Sequence, residues 1–321
     1  MKRTASVIRA LFYLHICPLL LHISPPLTGG DQGESDYFQS TNHPHPGHPP
    51  SQGEGNSNET VLNLLLPLIT ALVIFLTAFV AKAETPTGSL LDGLAPGPDG
   101  KIDVLTIFPH QDDEFYAGGT LLKMKQDPRV RIHIACLTLG DKSDARFWLH
   151  VDPDTLGRVR SGELVSAAAV YNAMEVIQLD YHDQGLKGAD QAELDRKILD
   201  IINRTGAEVV ITHDPSGLTR HPDHVFGSAA VTRAFPQSNA KRLYYATQPE
   251  WIYLPTSTIT PFHEKGKHLK PTIKIDISDY LLLKRLAVYE HVSQARFSLV
   301  GLTVEQSLLV PYEWFSLGME K

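Results

Sequence analysis

The apolar, β-branched run Val104-Leu105-Thr106-Ile107-Phe108 ends in Pro109-His110-Gln111-Asp112-Asp113-Glu114, and the small residues Ala117-Gly118-Gly119-Thr120 follow. An unbroken apolar run of this length reads as a strand buried on both faces, which requires helices on both sides of its sheet. The arrangement recurs further on, where Glu208-Val209-Val210-Ile211-Thr212 leads to His213-Asp214 and then to His221-Pro222-Asp223-His224. Two polar clusters, each just beyond a strand, lie where open α/β sheets build their sites.

From about residue 100 the pattern alternates. Strands are predicted over 102–108, 130–139, 175–179, 208–213 and 241–246, and helices near 119–126, 156–172, 191–204 and 224–235. Leu194, Ile198, Leu199, Ile201 and Ile202 recur at helical spacing. The tail adds a strand over 272–277 and a helix over 279–291 with Ser278 as its cap. The expectation is a single α/β domain over 100–321, a mostly parallel sheet with helices on both faces and no internal repeats.

The preceding residues have a different composition. Residues 1–60 read as a leader: a weak apolar segment (7–24) interrupted by Arg9, His15, Pro18 and His22, then a polar, Pro/Gly/Ser/Asn/His-rich stretch with little to bury. Residues 61–81 carry no charge, and a helix of about 21 residues spans about 30 Å, the bilayer core. Segment 61–83 is therefore expected to be a transmembrane anchor or a signal segment, followed by a linker over 84–99. Membrane attachment, single- or two-pass, is the favoured expectation, and the side stays open. Export after cleavage near Ala83, within the small-x-small pattern Ala81-Lys82-Ala83, is the alternative. A net charge of −7 gives no electrostatic case for nucleic-acid binding. Cys17 and Cys136 are too few and too separate for a disulfide framework, and Cys136 reads as a core thiol.

Catalytic zinc sites keep three protein ligands, commonly histidine and carboxylate, and leave a position for water. His110, Asp113 and His224 would supply such a set. Asp112 is then free to act as a base, because two adjacent carboxylates cannot comfortably share one role. His221, one helical turn before His224, can face the same cavity and stabilise a developing oxyanion or protonate a leaving amine. Each motif also has a plain structural use: Asp112 and Asp113 as openers of the next helix, and His221-Pro222-Asp223 as an N-terminal cap. Together, on strand ends of one domain, they point to a metal site.

At these residues the chain resembles the PIG-L/LmbE-like metal-dependent de-N-acetylases. Their first motif, typically Ala-His-Pro-Asp-Asp-Glu, is similar to residues 109–114, with Gln111 where the proline usually stands; their second, His-Pro-Asp-His, matches residues 221–224. The likeness continues through Thr138-Leu139-Gly140-Asp141, the segment 158–164, Asp180-Tyr181-His182-Asp183-Gln184-Gly185-Leu186, Lys284 and His291-Val292-Ser293-Gln294, covering about residues 100–295. The resemblance implies a Rossmann-like fold, zinc (or iron(II)) held by His110, Asp113 and His224, Asp112 as general base and His221 facing the oxyanion. It also implies substrate-binding roles for Arg158, on the substrate's polar head, and for Asp183, orienting His221. A surface ion pair of Arg158 with Glu163 and a turn role for Asp183 toward Gly185 are the structural alternatives. Loss of the proline should loosen the loop, and Glu114 is expected to support the site or open the helix rather than to ligate.

The activity that follows is hydrolysis of an N-acetyl group from an N-acetylglucosamine-type sugar, lipid-linked if the anchor is real. The alternatives are a hydrolase of the same fold acting on a non-sugar amide or carbamoyl group, and a catalytically silent, membrane-tethered binding module.

Overall fold

The computed structural model of the protein describes residues 85–295 and 310–321. The leader and the apolar segment 61–83 lie outside the described residues. Among the described residues no helix is long and apolar enough to cross a membrane.

In chain order the elements are β1 (Ile102–Phe108), α1 (Phe115–Met124), β2 (Val130–Thr138), α2 (Ala145–Leu149), α3 (Pro153–Tyr171), β3 (Glu175–Tyr181), α4 (Gln191–Thr205) and β4 (Val209–His213). Then come α5 (Gly217–Arg220), α6 (Pro222–Ala234), β5 (Arg242–Thr247), α7 (Glu250–Ile259), β6 (Ile273–Asp276), α8 (Leu281–Glu290), α9 (Val292–Ala295) and β7 (Tyr312–Glu320). They build a seven-stranded sheet in the order β3-β2-β1-β4-β5-β7-β6. The first five strands are parallel, and β7 lies antiparallel between β5 and β6.

Alternation along the central strands sends side chains to two separate cores. Val104, Ile132, Ile134, Val209 and Ile211 pack with Leu121, Leu122, Leu164, Ala168 and Ala287, so α1, α3 and α8 cover one face. Leu105, Ile107, Leu137 and Val210 pack with Leu194, Ile198, Ile202, Ala230 and Val231, so α4 and α6 cover the other. Every residue of β1 is buried, as a strand covered on both faces must be. Cys136 is a buried free thiol in this core.

The chain runs outward from β1 to β3 and returns to β4 on β1's other side, which opens a crevice at the carboxyl ends of β1 and β4. Both motif loops enter it.

Several local expectations are corrected. Helix α3 starts at Pro153 rather than near Leu156; Asp152 accepts from the Thr155 N–H at 2.9 Å, and Pro153 needs no donor at N1. Ser278 does not cap a helix: its hydroxyl and N–H both donate to Asp276, a short 3-10 turn intervenes, and α8 begins at Leu281. Residues 86–92, expected as linker, pack on the domain. Leu90 is fully buried, the Lys274 N–H donates to the Pro86 carbonyl, and Arg242 donates to the Leu90 and Asp92 carbonyls.

Candidate metal centre

The turn after β1 is shaped by an unusual backbone. Asp112 has φ +105°, a strained value for a residue with a Cβ. The Glu114 carboxylate holds it there by accepting from the Asp112 N–H at 3.1 Å, and the other Glu114 oxygen accepts from His291 Nε2 at 2.7 Å. The reversal separates two adjacent carboxylates. Asp113 turns inward, while Asp112, 19% exposed, has Oδ1 3.4 Å from the buried Arg160 guanidinium.

On the second loop, Pro222 opens α6 and His221 is its N-cap, with Nδ1 accepting from the Asp223 N–H at 3.1 Å. The capping reading and the site reading of this histidine are thus both true. Because Nδ1 accepts, the proton of the neutral ring sits on Nε2. Gly217 adopts φ +67° and turns its carbonyl onto His224 Nδ1 at 2.9 Å. A carbonyl only accepts, so Nδ1 of His224 carries the hydrogen and Nε2 presents its lone pair.

That lone pair meets two other donors. His224 Nε2 is 3.1 Å from His110 Nδ1 and 3.3 Å from Asp113 Oδ1, and His110 Nδ1 is 3.4 Å from Asp113 Oδ2. Tetrahedral coordination with bonds near 2.0–2.1 Å places its donors about 3.3 Å apart. With one Asp113 oxygen facing each histidine, these separations are compatible with a small divalent ion between the three residues, all of which are at least nine-tenths buried. The outer nitrogen of His110 is held as metal ligands usually are, by carboxylates: Nε2 lies 3.1 Å from Asp183 and 3.3 Å from Asp223.

The electrostatics favour positive charge within the cluster. Burial opposes charge on His110, but the Asp183, Asp113 and Asp223 carboxylates outweigh it and raise its pKa well above the usual imidazole value. Burial pushes Asp113 up, yet the His224 and His213 imidazoles beside it bring it well below the usual carboxylate value. Burial pushes His224 and His221 down to about 3, so both rings are neutral and available. Asp112 is pushed up to about 6 by burial, with Arg160 pulling it down and Asp113 adding to the rise.

The remaining expected residues divide. Asp183 joins the cluster, but its hydrogen bond is to His110; His221 Nε2 is 3.8 Å away, so orientation of His221 by Asp183 is corrected. Arg158 is exposed on α3 and donates to Thr155 of its own helix, and Glu163 accepts from Ser293 instead of Arg158. Two positions along a helix is about 200° of rotation, and it is Arg160 that points inward. Its guanidinium donates to the Gln111 carbonyl at 2.6 Å and the Gly140 carbonyl at 3.0 Å. Gln111 tightens rather than loosens the loop: its side-chain amide donates to the Thr138 carbonyl at 3.0 Å and to Gln178 at 3.3 Å.

The sequence marks His213 only as part of the polar cluster after β4 and Asp223 only as part of a helix cap. Asp223 is fully buried and accepts from the Gln184 and Leu186 N–H groups at 2.6 and 3.0 Å. It thereby clamps the β3 loop to His110.

Comparisons with known proteins bear on this site. Residues 105–235, from β1 through α6, match the family described as GlcNAc-PI de-N-acetylase, PIG-L. A probable N-acetyl-α-D-glucosaminyl L-malate deacetylase 2 of Bacillus anthracis is 30% identical over 198 residues, 60% of this chain and 80% of that protein. This chain belongs to the PIG-L family. A like-named probable deacetylase of Bacillus cereus is 33% identical over 132 residues, 41% of this chain and 60% of that protein. A probable N-acetylglucosaminyl-phosphatidylinositol de-N-acetylase of Schizosaccharomyces pombe is 31% identical over 143 residues, 42% of this chain and 53% of that protein. The chain thus spans little more than half the length of several relatives. Among solved structures, the N,N'-diacetylchitobiose deacetylase from Pyrococcus horikoshii shares the fold with a TM-score of 0.50 and 21% identity, over 67% of this chain and 83% of that one.

Proposed function

We propose that this PIG-L family member is a metal-dependent hydrolase that removes an N-acetyl group from an N-acetylglucosamine-type sugar or glycoconjugate. The observation that carries the reading is the convergence of His110, Asp113 and His224, whose donor atoms approach pairwise to 3.1–3.4 Å, with His221 within 4.8 Å of the His110 and His224 donors. Zinc, or iron(II), held by these three residues would supply Lewis-acid polarisation of an amide carbonyl and would acidify a water.

Each remaining residue has a task. Asp112, partly exposed beside the donor cluster, accepts the proton of the attacking water and returns it to the departing amine. The Nε2–H of His221 donates to the oxygen of the tetrahedral intermediate. Asp183 and Asp223 hold His110 by its outer nitrogen, and Arg160 braces the Asp112 loop through the Gln111 carbonyl. One water is consumed, and acetate and a free amino sugar result. The apolar segment 61–81 supports attachment to a membrane and, with it, a lipid-linked acceptor.

The test uses the full chain, wild type and Asp112→Ala. Metal content is measured together with acetate release from a panel of N-acetylglucosaminides that includes an inositol-linked one. The reading expects about one ion in both forms and turnover in the wild type alone. Bound metal with no turnover on any sugar would move the substrate elsewhere, and no metal in either form would refute the reading.

A further inference from the structure

Helix α8 carries its polarity inside out. Its lysine, Lys284, is buried and pairs with Glu313 at 2.7 Å, both side chains at most 4% exposed. The three positions it exposes are all leucine: Leu282 at 72%, Leu283 at 41% and Leu286 at 49%. Leu286 follows the other two by four and three residues, about one turn, so the three form one patch. A helix on the surface of a domain ordinarily turns charged or polar side chains to water. A clustered apolar outer face marks a surface that something covers.

The path of the chain says what lies beside this face. The Lys274 N–H of β6 donates to the Pro86 carbonyl at 2.9 Å, and the Gly88 N–H donates to the Lys274 carbonyl at 3.2 Å. Strand β6 is an edge of the sheet, and four residues separate its end from α8. Leu90 and the partly buried Leu281 of α8 belong to the same core. Ala81, the last residue of the uncharged segment, is five residues from Pro86. Fully extended, that stretch reaches roughly 18 Å. A sheet of seven strands measures about 29 Å from edge to edge. With residues 61–81 in a bilayer, the β6 edge is therefore the one held at the membrane, and the start of α8 is held there with it.

We propose that Leu282, Leu283 and Leu286 seat the domain on the lipid surface, with α8 in the headgroup layer. The inference rests on the reading that residues 61–81 span a membrane. Interfacial helices hold through the apolar area they bury at the boundary of headgroups and acyl chains. The exposed positions of α8 carry no charge, so this seat does not require anionic lipid. Helix α8 also leads to the site: His291, the residue after it, meets Glu114 at 2.7 Å, the carboxylate that holds the Asp112 backbone. Seating α8 brings the crevice toward the membrane surface, where the head of a lipid-linked acceptor lies.

The experiment reconstitutes the full-length chain into phosphatidylcholine vesicles. Nitroxides are attached one at a time at Leu282→Cys, Leu286→Cys and Met174→Cys in a Cys17→Ser background, Cys136 being buried. Met174, 65% exposed, precedes β3 at the opposite edge of the sheet. Power-saturation EPR compares collision with oxygen, which concentrates in lipid, against collision with a water-soluble nickel chelate. The proposal expects both α8 labels to favour oxygen and the Met174 label to favour nickel. A label at Leu283→Cys should shift from oxygen to nickel when Leu282→Asp and Leu286→Asp are added. Nickel preference at α8 matching that at Met174, or a Leu283 label unmoved by the two aspartates, would overturn the proposal alone. So would α8 labels shielded from both reagents, which would mean that protein covers the face, another segment or a second copy. Failure of the chain to float with the vesicles would overturn it together with the membrane reading. None of these readouts depends on metal or turnover, so the deacetylase reading is tested separately.

Discussion

Asp223 offers the sharpest test of how the site is held, because its sequence position suggests only a helix opener. Its Oδ2 accepts from the Gln184 N–H at 2.6 Å and faces His110 Nε2 at 3.3 Å, while Oδ1 accepts from the Leu186 N–H at 3.0 Å. In Asp223→Asn an amide nitrogen must replace one oxygen. The less harmful orientation replaces Oδ1, which leaves the buried Leu186 N–H facing another donor at a cost of about 1–3 kcal/mol. The retained oxygen is neutral, so its bond to His110 loses about half its strength. For a domain of this size each kcal/mol lowers the melting temperature by about 2–4 °C. The expected outcome is a fall of about 2–12 °C in the ion-free protein together with zinc affinity weakened about 10- to 100-fold. Differential scanning calorimetry and chelator competition measure the two effects on one sample. Melting temperature and affinity both equal to wild type would refute the idea that Asp223 clamps the β3 loop and orients His110. A stability loss with unchanged affinity would refute the orienting role alone.

Four further outcomes are expected. Asp112→Asn should lower turnover by about 10²- to 10⁴-fold with metal content unchanged, as judged by acetate release and elemental analysis. The pKa of Asp112 is raised in the fold, so its ionisation disfavours the ion-free native state above pH about 6 and not below the ordinary carboxylate range. Asp112→Asn should accordingly stabilise the ion-free protein at pH 8 relative to its effect at pH 4; thermal melts showing no pH-dependent gain would count against the buried, raised carboxyl. Arg160→Ala leaves the Gln111 and Gly140 carbonyls without their donor and should sharply cut turnover, while Arg158→Ala should shift stability by less than about 0.5 kcal/mol and leave kcat/KM alone. Equal effects of the two would show the wrong arginine was assigned. A Cβ on Gly119 would sit 2.5 Å from Ile277 Cδ1 and 2.8 Å from its Cβ, so Gly119→Ala should destabilise by about 1–3 kcal/mol in urea unfolding.

Much of the site is readable because strand ends are local events. Val104 to Phe108 form a strand by their own apolar continuity, and the next residues must leave the sheet at its carboxyl edge. Histidines and aspartates placed there reach the crevice whatever the rest of the chain does. The same local logic misplaces Arg158, because two residues along a helix reverse the face and only the packing of α3 says which face looks inward. It also misses β7, which pairs with β5 across about seventy residues of sequence and turns the edge of the sheet antiparallel.

The amino-acid sequence alone determined the donor types, their attachment to β1 and β4, and the alternating pattern that makes those strands parallel neighbours. Hydrophobic periodicity and the chemistry of His and Asp are carried by each residue and its near neighbours. Only the tertiary structure decided that Asp183 grips His110 instead of His221, that Asp223 joins two loops, that Glu114 holds Asp112 in its reversed backbone, and that His213 comes within 3.4 Å of Asp113. Those pairings join residues far apart in sequence, or fix a dihedral angle that the surrounding fold must hold. Their energies come from burial and distance, and neither exists until the sheet has closed around them.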